Sequence, residues 1–178
     1  MTINDPGPAV GDTKDWVWAA TRPCAECGFD PTAIDDVAVA NTLRGTTSRW
    51  AAVLAGPDAR DRPKPAVWSP LEYACHVRDV HRVFTGRVTL MLTEDAPQFA
   101  NWDQDKAAVA GRYWAADPAV VAAELAEAAE QSAAGYDAVP ADAWSRTGMR
   151  SNGSAFTISS IGHYHLHDVV HHLYDVQG

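Results

Sequence analysis

Five of the seven histidines, His163, His165, His167, His171 and His172, crowd into ten residues near the end of the chain. His167 and His171 are four apart, so on a helix their rings stack on one face about a turn apart and can chelate one divalent ion. An open metal site wants a third protein donor from another element, with a position left for water or substrate. His76 is the candidate: it lies in the apolar surroundings of Leu71, Val77, Val80, Val83 and Phe84, where an unpartnered imidazole is costly. His76, His167 and His171 therefore form the expected ligand set, although histidine spacing alone fits equally well with polar groups on a surface or in a core. His163, one turn before His167, is a reserve ligand, while His165, His172 and His81 are expected to face elsewhere.

Such a site would lower the pKa of a bound water or thiol and create a nucleophile near neutral pH. A proton carrier is then needed, and Asp79, one turn beyond His76, could serve; a solvated helix charge fits it slightly better. The catalytic residues stay unassigned. Trp102, Trp114 and Tyr73 suit the wall of an apolar pocket or ordinary packing. Cys24 and Cys27 have the spacing of a zinc half-site or a redox motif, but without a second pair or a preceding strand they read as structural or incidental. Cys75 reads as a buried core thiol.

The elements that must position these residues are helical. Apolar positions from Ile34 to Leu54 follow one helical face, ended by Gly56 and Pro57. Ser69-Pro70-Leu71-Glu72 is a capping-box start for a helix running to about Leu92. Asp117-Pro118 opens an alanine-rich helix to about Tyr136. Ile158, Ile161, His163, Leu166, His167, Val170, His171 and Tyr174 mark one stripe of the last helix. The acidic stretch after Leu92 reads as a loop, and the segment from Val139 to Ser160 as a long connection with room for a hairpin. Residues 1–15 read as a mobile leader. Residues 1–30 are thus an irregular N-terminal extension carrying the Cys-x-x-Cys loop, and residues 31–178 a bundle.

Composition narrows the function. The chain of 178 residues has 47% hydrophobic content, enough for one core, and seven Trp. A formal charge of −9 with no basic cluster removes the electrostatic footprint of nucleic-acid binding. No apolar run approaches the ~20 residues that cross a bilayer, so a membrane role is not expected and the location reads as cytoplasmic. Three cysteines make no disulfide framework.

The run from Trp68 through His76 to Val80, with Trp102-Asp103-Gln104-Asp105 and His167-Asp168-Val169-Val170-His171-His172 downstream, resembles the DinB-like superfamily. That group includes YfiT-type proteins and mycothiol-dependent maleylpyruvate isomerases, and the resemblance covers roughly residues 34–176. It implies an all-α fold, an up-down-down-up four-helix bundle, with the metal ligands carried onto His76, His167 and His171. It also implies a metal-dependent enzyme acting on a small molecule: a transferase or isomerase using mycothiol or another low-molecular-weight thiol, with a hydrolase or a non-catalytic metal-binding bundle as alternatives. Zinc is the leading metal, and nickel and iron accept the same donors. A homodimer through an exposed helical face is compatible with the sequence.

Overall fold

The computed structural model describes residues 5–7, 9 and 14–178; the rest of the leader assigned from sequence to residues 1–15 lies outside them. Four long helices, α1 (Val39–Leu54), α2 (Pro70–Thr93), α4 (Pro118–Asp137) and α5 (Ile158–Asp175), form the bundle. A short helix, α3 (Gln104–Ala110), stands on the connection between α2 and α4. Both α1 and α2 pack against α4 and α5, so each of the first two helices contributes its apolar stripe to one core that includes Leu43, Trp50, Leu71, Val80, Leu125, Ile161 and Leu166.

The helix starts are written locally. Ser69 Oγ accepts from the backbone N–H of Glu72, and the Glu72 carboxylate accepts from Ser69 N–H, a complete capping box. Asp117 caps α4 by accepting from the N–H groups of Ala119 and Val120, with Pro118 in the first turn. Thr157 and Ser160 form a second capping box on α5. The first helix begins later than its apolar pattern suggests: residues 36–38 make a tight 3-10 turn before Val39.

The acidic stretch after Leu92, expected to be a loop, pairs with a hairpin in the connection from Val139 to Ser160. Strand β1 (Gln98–Phe99) lies parallel to β2 (Thr147–Arg150), which runs antiparallel to β3 (Ala155–Thr157). A side chain at Gly148 would meet Met91 and Phe99 at 2.8 Å, so glycine permits the sheet to lie directly against the end of α2. Arg146 donates to the carbonyls of Met91 and Glu94, both at 2.6 Å, satisfying acceptors that the end of a helix leaves open. No helix among the described residues is long and apolar enough to cross a membrane.

Helix α5 is buried over a wider arc than its apolar stripe implies, because the 3-10 turn Val17–Ala20 of the N-terminal extension also packs on it. His81 and His165, expected to face elsewhere, are both fully buried and hydrogen-bonded to each other, Nε2 of His165 lying 3.0 Å from Nδ1 of His81. Burial pushes the His81 imidazole down to about 4 and His165 well below its ordinary value. The unfolded chain therefore takes up these protons from about pH 6.5 downward while the folded chain refuses them. The stability they contribute is complete above about pH 6.5 and is lost as pH falls towards 4. Denaturant unfolding should show a loss of about 2 kcal/mol from His81 between pH 7 and pH 5, and a shallower slope in His81→Gln.

Candidate metal centre and pocket

The expected ligands do not converge. Among the described residues two groups could hold an ion: His76 with Asp168 and His172, and Cys24 and Cys27 with His167 and His171. The set His76, His167 and His171 is thus divided between two places, and the reason lies in α5. Positions 167/171 and 168/172 are both spaced four apart but are rotated by about 100° from each other. The second pair faces α2, whereas the first faces the N-terminal extension.

In the α2-facing group, His76 Nε2 lies 3.3 Å from Asp168 Oδ1, and His172 Nε2 lies 3.6 Å from the same oxygen. Donor atoms on a tetrahedral ion with bonds of about 2.0–2.1 Å are separated by about 3.3 Å, so two imidazoles and one carboxylate already stand near that spacing. Asp175 Oδ2 lies 2.8 Å from His172 Nδ1, the carboxylate–histidine support that fixes a ligating ring. His76 is fully buried, its Nδ1 has no hydrogen-bond partner among the described residues, and the indole of Trp102 stacks on its ring at 5.3 Å.

The electrostatics suit ligands. Burial pushes His76 below its ordinary value despite the adjacent Asp168, so the imidazole is neutral. Burial opposes ionisation of Asp168, but the hydrogen bond from His76 and the surrounding histidines hold its carboxyl well below the usual carboxylate range. Neutral imidazole and ionised carboxylate are the forms that bind a cation.

Asp168 and His172 of this group line a cavity of about 780 Å³, bordered also by Tyr73, Trp102, Arg87 and Arg150 and by His167 and His171. Arg87 is 6% exposed, held over the rings of Phe84 and Phe99, and among the described residues its one hydrogen bond is to the Ala100 carbonyl at 3.2 Å. Burial and the neighbouring Arg150 push its guanidinium down to about 10. It remains cationic at neutral pH, a desolvated positive charge on the cavity wall without a carboxylate bonded to it.

Other expectations find different places. Asp79 turns away from the cavity to accept from Tyr113 Oη at 2.5 Å and from Arg78 and Arg82, which makes it a structural anchor. Tyr73 and Trp102 line the cavity, whereas Trp114 does not. His163 Nε2 lies 3.0 Å from the Ile34 carbonyl, outside both groups. Cys75 is buried, its thiol pushed up to about 12 by desolvation. Histidine spacing does not single out Asp168 or Arg87; the signal for Asp168 is the spacing Asp168-x-x-x-His172 beside His76.

The comparisons with known proteins agree on the fold. YfiT from Bacillus subtilis, described as a probable metal-dependent hydrolase with an unusual four-helix bundle topology, superposes with a TM-score of 0.69 over 80% of this chain and 85% of its own, at 19% identity. No curated protein matches the chain. The sequence profile of the DinB superfamily matches residues 40–176, a span that contains both the four helices and the His76, Asp168 and His172 group, and the chain belongs to that superfamily.

Proposed function

We propose that the protein is a metal-dependent enzyme acting on a small anionic molecule, with the cation held by His76, Asp168 and His172. The observation that carries this reading is the convergence of two imidazoles and one ionised carboxylate at the edge of a cavity whose wall bears the buried cation of Arg87. When bound, a divalent metal supplies Lewis-acid chemistry, lowering the pKa of a nucleophile and stabilising developing negative charge. Three protein donors leave room for a further ligand, the arrangement of catalytic rather than structural sites.

The chain's own residues divide the remaining work. Asp175 orients His172 through its Nδ1, and Trp102 and Trp68 pack on His76 and keep water from its ring. Arg87 and Arg150 present guanidinium donors to an anionic substrate group, which fixes the substrate's orientation relative to the ligands. Hydrolysis is the reading favoured by the likeness to YfiT. Transfer or isomerisation using a low-molecular-weight thiol such as mycothiol is the alternative, favoured by a cavity of about 780 Å³, which has room for a cosubstrate beside an acceptor.

The test is an activity screen of the metal-loaded protein with carboxylate-bearing esters and amides, in parallel with thiol addition to small electrophilic acids. Activity should vanish on chelation and return with zinc. A charged hydrogen bond is worth about 1.5–3 kcal/mol, so Arg87→Gln should raise KM roughly 10- to 100-fold for the anionic substrate while metal content stays unchanged. Activity that survives complete metal removal would rule the proposal out.

A further inference from the structure

The second donor group is separate from the pocket ligands and has a different composition. Cys24 and Cys27 sit on a tight turn in which Cys24 N–H donates to the Phe29 carbonyl at 2.8 Å and Gly28 N–H to the Cys24 carbonyl at 2.9 Å. Gly28, with φ of +76°, takes the left-handed conformation that lets the chain turn back directly after Cys27. The turn thereby brings both sulfurs towards α5, where His167 and His171 present rings 5.0 Å apart. One donor atom from each of the four residues lies within 4.8 Å of every other, and Cys24 Sγ is 3.8 Å from His171 Nδ1.

Three of the four donors are buried and Cys27 is half-buried, and His167 and His171 also border the cavity. Cys24, His167 and His171 are 2%, 2% and 7% exposed. Trp16 covers both imidazoles with ring centroids 5.3 and 4.7 Å away, and Phe29 packs on His167. His167 Nε2 is buried with no hydrogen-bond partner among the described residues, although a buried polar nitrogen left unpaired is costly. A dithiol acting in redox chemistry has no need of two imidazoles directed at its sulfurs. A tetrahedral ion does: bonds of about 2.3 Å to sulfur and about 2.0 Å to nitrogen put neighbouring donors about 3.5 Å apart, a small contraction from the separations present.

We propose that Cys24, Cys27, His167 and His171 form a second metal site, a closed four-coordinate zinc centre that fastens the N-terminal extension to α5. Two thiolates and two neutral imidazoles balance the dipositive ion, so the assembled centre is neutral and tolerates burial. Binding displaces one proton from each thiol and leaves all electrons on sulfur. With four protein donors no position remains for substrate, which assigns the centre to structure rather than to the reaction. Its effect on the pocket is mechanical: the turn of α5 that carries His167 and His171 also carries Asp168 and His172. The inference does not depend on the proposed reaction, because none of its four donors belongs to the pocket group.

Cobalt titration of the reduced, untagged, metal-depleted full chain tests it, since only thiolate ligands give an intense sulfur-to-cobalt charge-transfer band in the near ultraviolet. The expected result is that band saturating by two equivalents per chain, and with one equivalent in Asp168→Ala, bleached by zinc and lost in Cys24→Ser and Cys27→Ser. Elemental analysis of zinc-loaded Cys27→Ser should find one ion fewer per chain than in the parent. No charge-transfer band in the reduced parent protein would overturn the proposal, as would a band that persists in both serine variants. A Cys24–Cys27 disulfide whose reduction yields no metal-binding thiols would overturn it as well.

Discussion

Asp168→Ala should empty the pocket site while leaving the bundle folded. The Asp168 Oδ1 atom is the point from which both imidazole distances, 3.3 Å to His76 and 3.6 Å to His172, are measured, and it is the one anionic donor of the three. Without it two neutral nitrogens face a dipositive ion with no charge to offset its desolvation. Loss of a residue that merely supports a ligand weakens metal binding about 10- to 100-fold, so loss of this ligand should exceed about 100-fold. Competition against a chromophoric chelator reads the affinity, and Asp168→Asn, which keeps the side-chain shape, controls for local collapse. Because His167 belongs to the other group, His167→Ala should leave pocket affinity within about tenfold of the parent, an attenuation of the kind that displaced supporting residues cause. Equal losses in the two variants would contradict the division of α5 into two faces.

The largest stability effect is expected at Arg62, on the connection between α1 and α2. Glu72 is 1% exposed, and its carboxylate accepts from Arg62 Nε at 2.9 Å and Nη2 at 2.5 Å as well as from the Ser69 backbone and hydroxyl. Burial alone would raise its pKa, but these donors hold it below its ordinary value. Arg62→Ala would leave a buried carboxylate without its cation, a defect that costs about 3–5 kcal/mol. Chemical denaturation measures it. Removing the charge as well, in Arg62→Ala with Glu72→Gln, should recover part of the loss, since the penalty comes from the stranded charge rather than from the missing pair. The consequence reaches the pocket, because Glu72 caps the helix turn that leads into His76.

The parts of this fold that the sequence makes legible are those decided by neighbouring residues. Ser69, Pro70 and Glu72 contain the start of α2 in four positions, and Asp117 with Pro118 does the same for α4. The direction in which α5 presents its donors is not local. Its two four-residue spacings are equivalent in sequence, and the choice between them depends on Cys24, which meets His171 across 147 residues of chain, and on α2, which supplies His76. Histidine spacing alone therefore joins His76 to the 167/171 face, whereas the structure brings Asp168 and His172 to it. The sheet was hidden for a similar reason: β1 pairs with β2 across the whole of α3 and α4, and neither strand is long enough to show an alternating pattern. Arg87 of α2 carries no local signal in the sequence; the rings of Phe84 and Phe99 around it and the cavity beside it set its role.

Anomalous diffraction at the zinc edge from crystals of the zinc-loaded protein locates each ion independently of any assay. The expected peak is bounded by His76 Nε2, Asp168 Oδ1 and His172 Nε2 at the mouth of the cavity. A single ion shared by His76, His167 and His171, or no ion within bonding distance of Asp168, would contradict it.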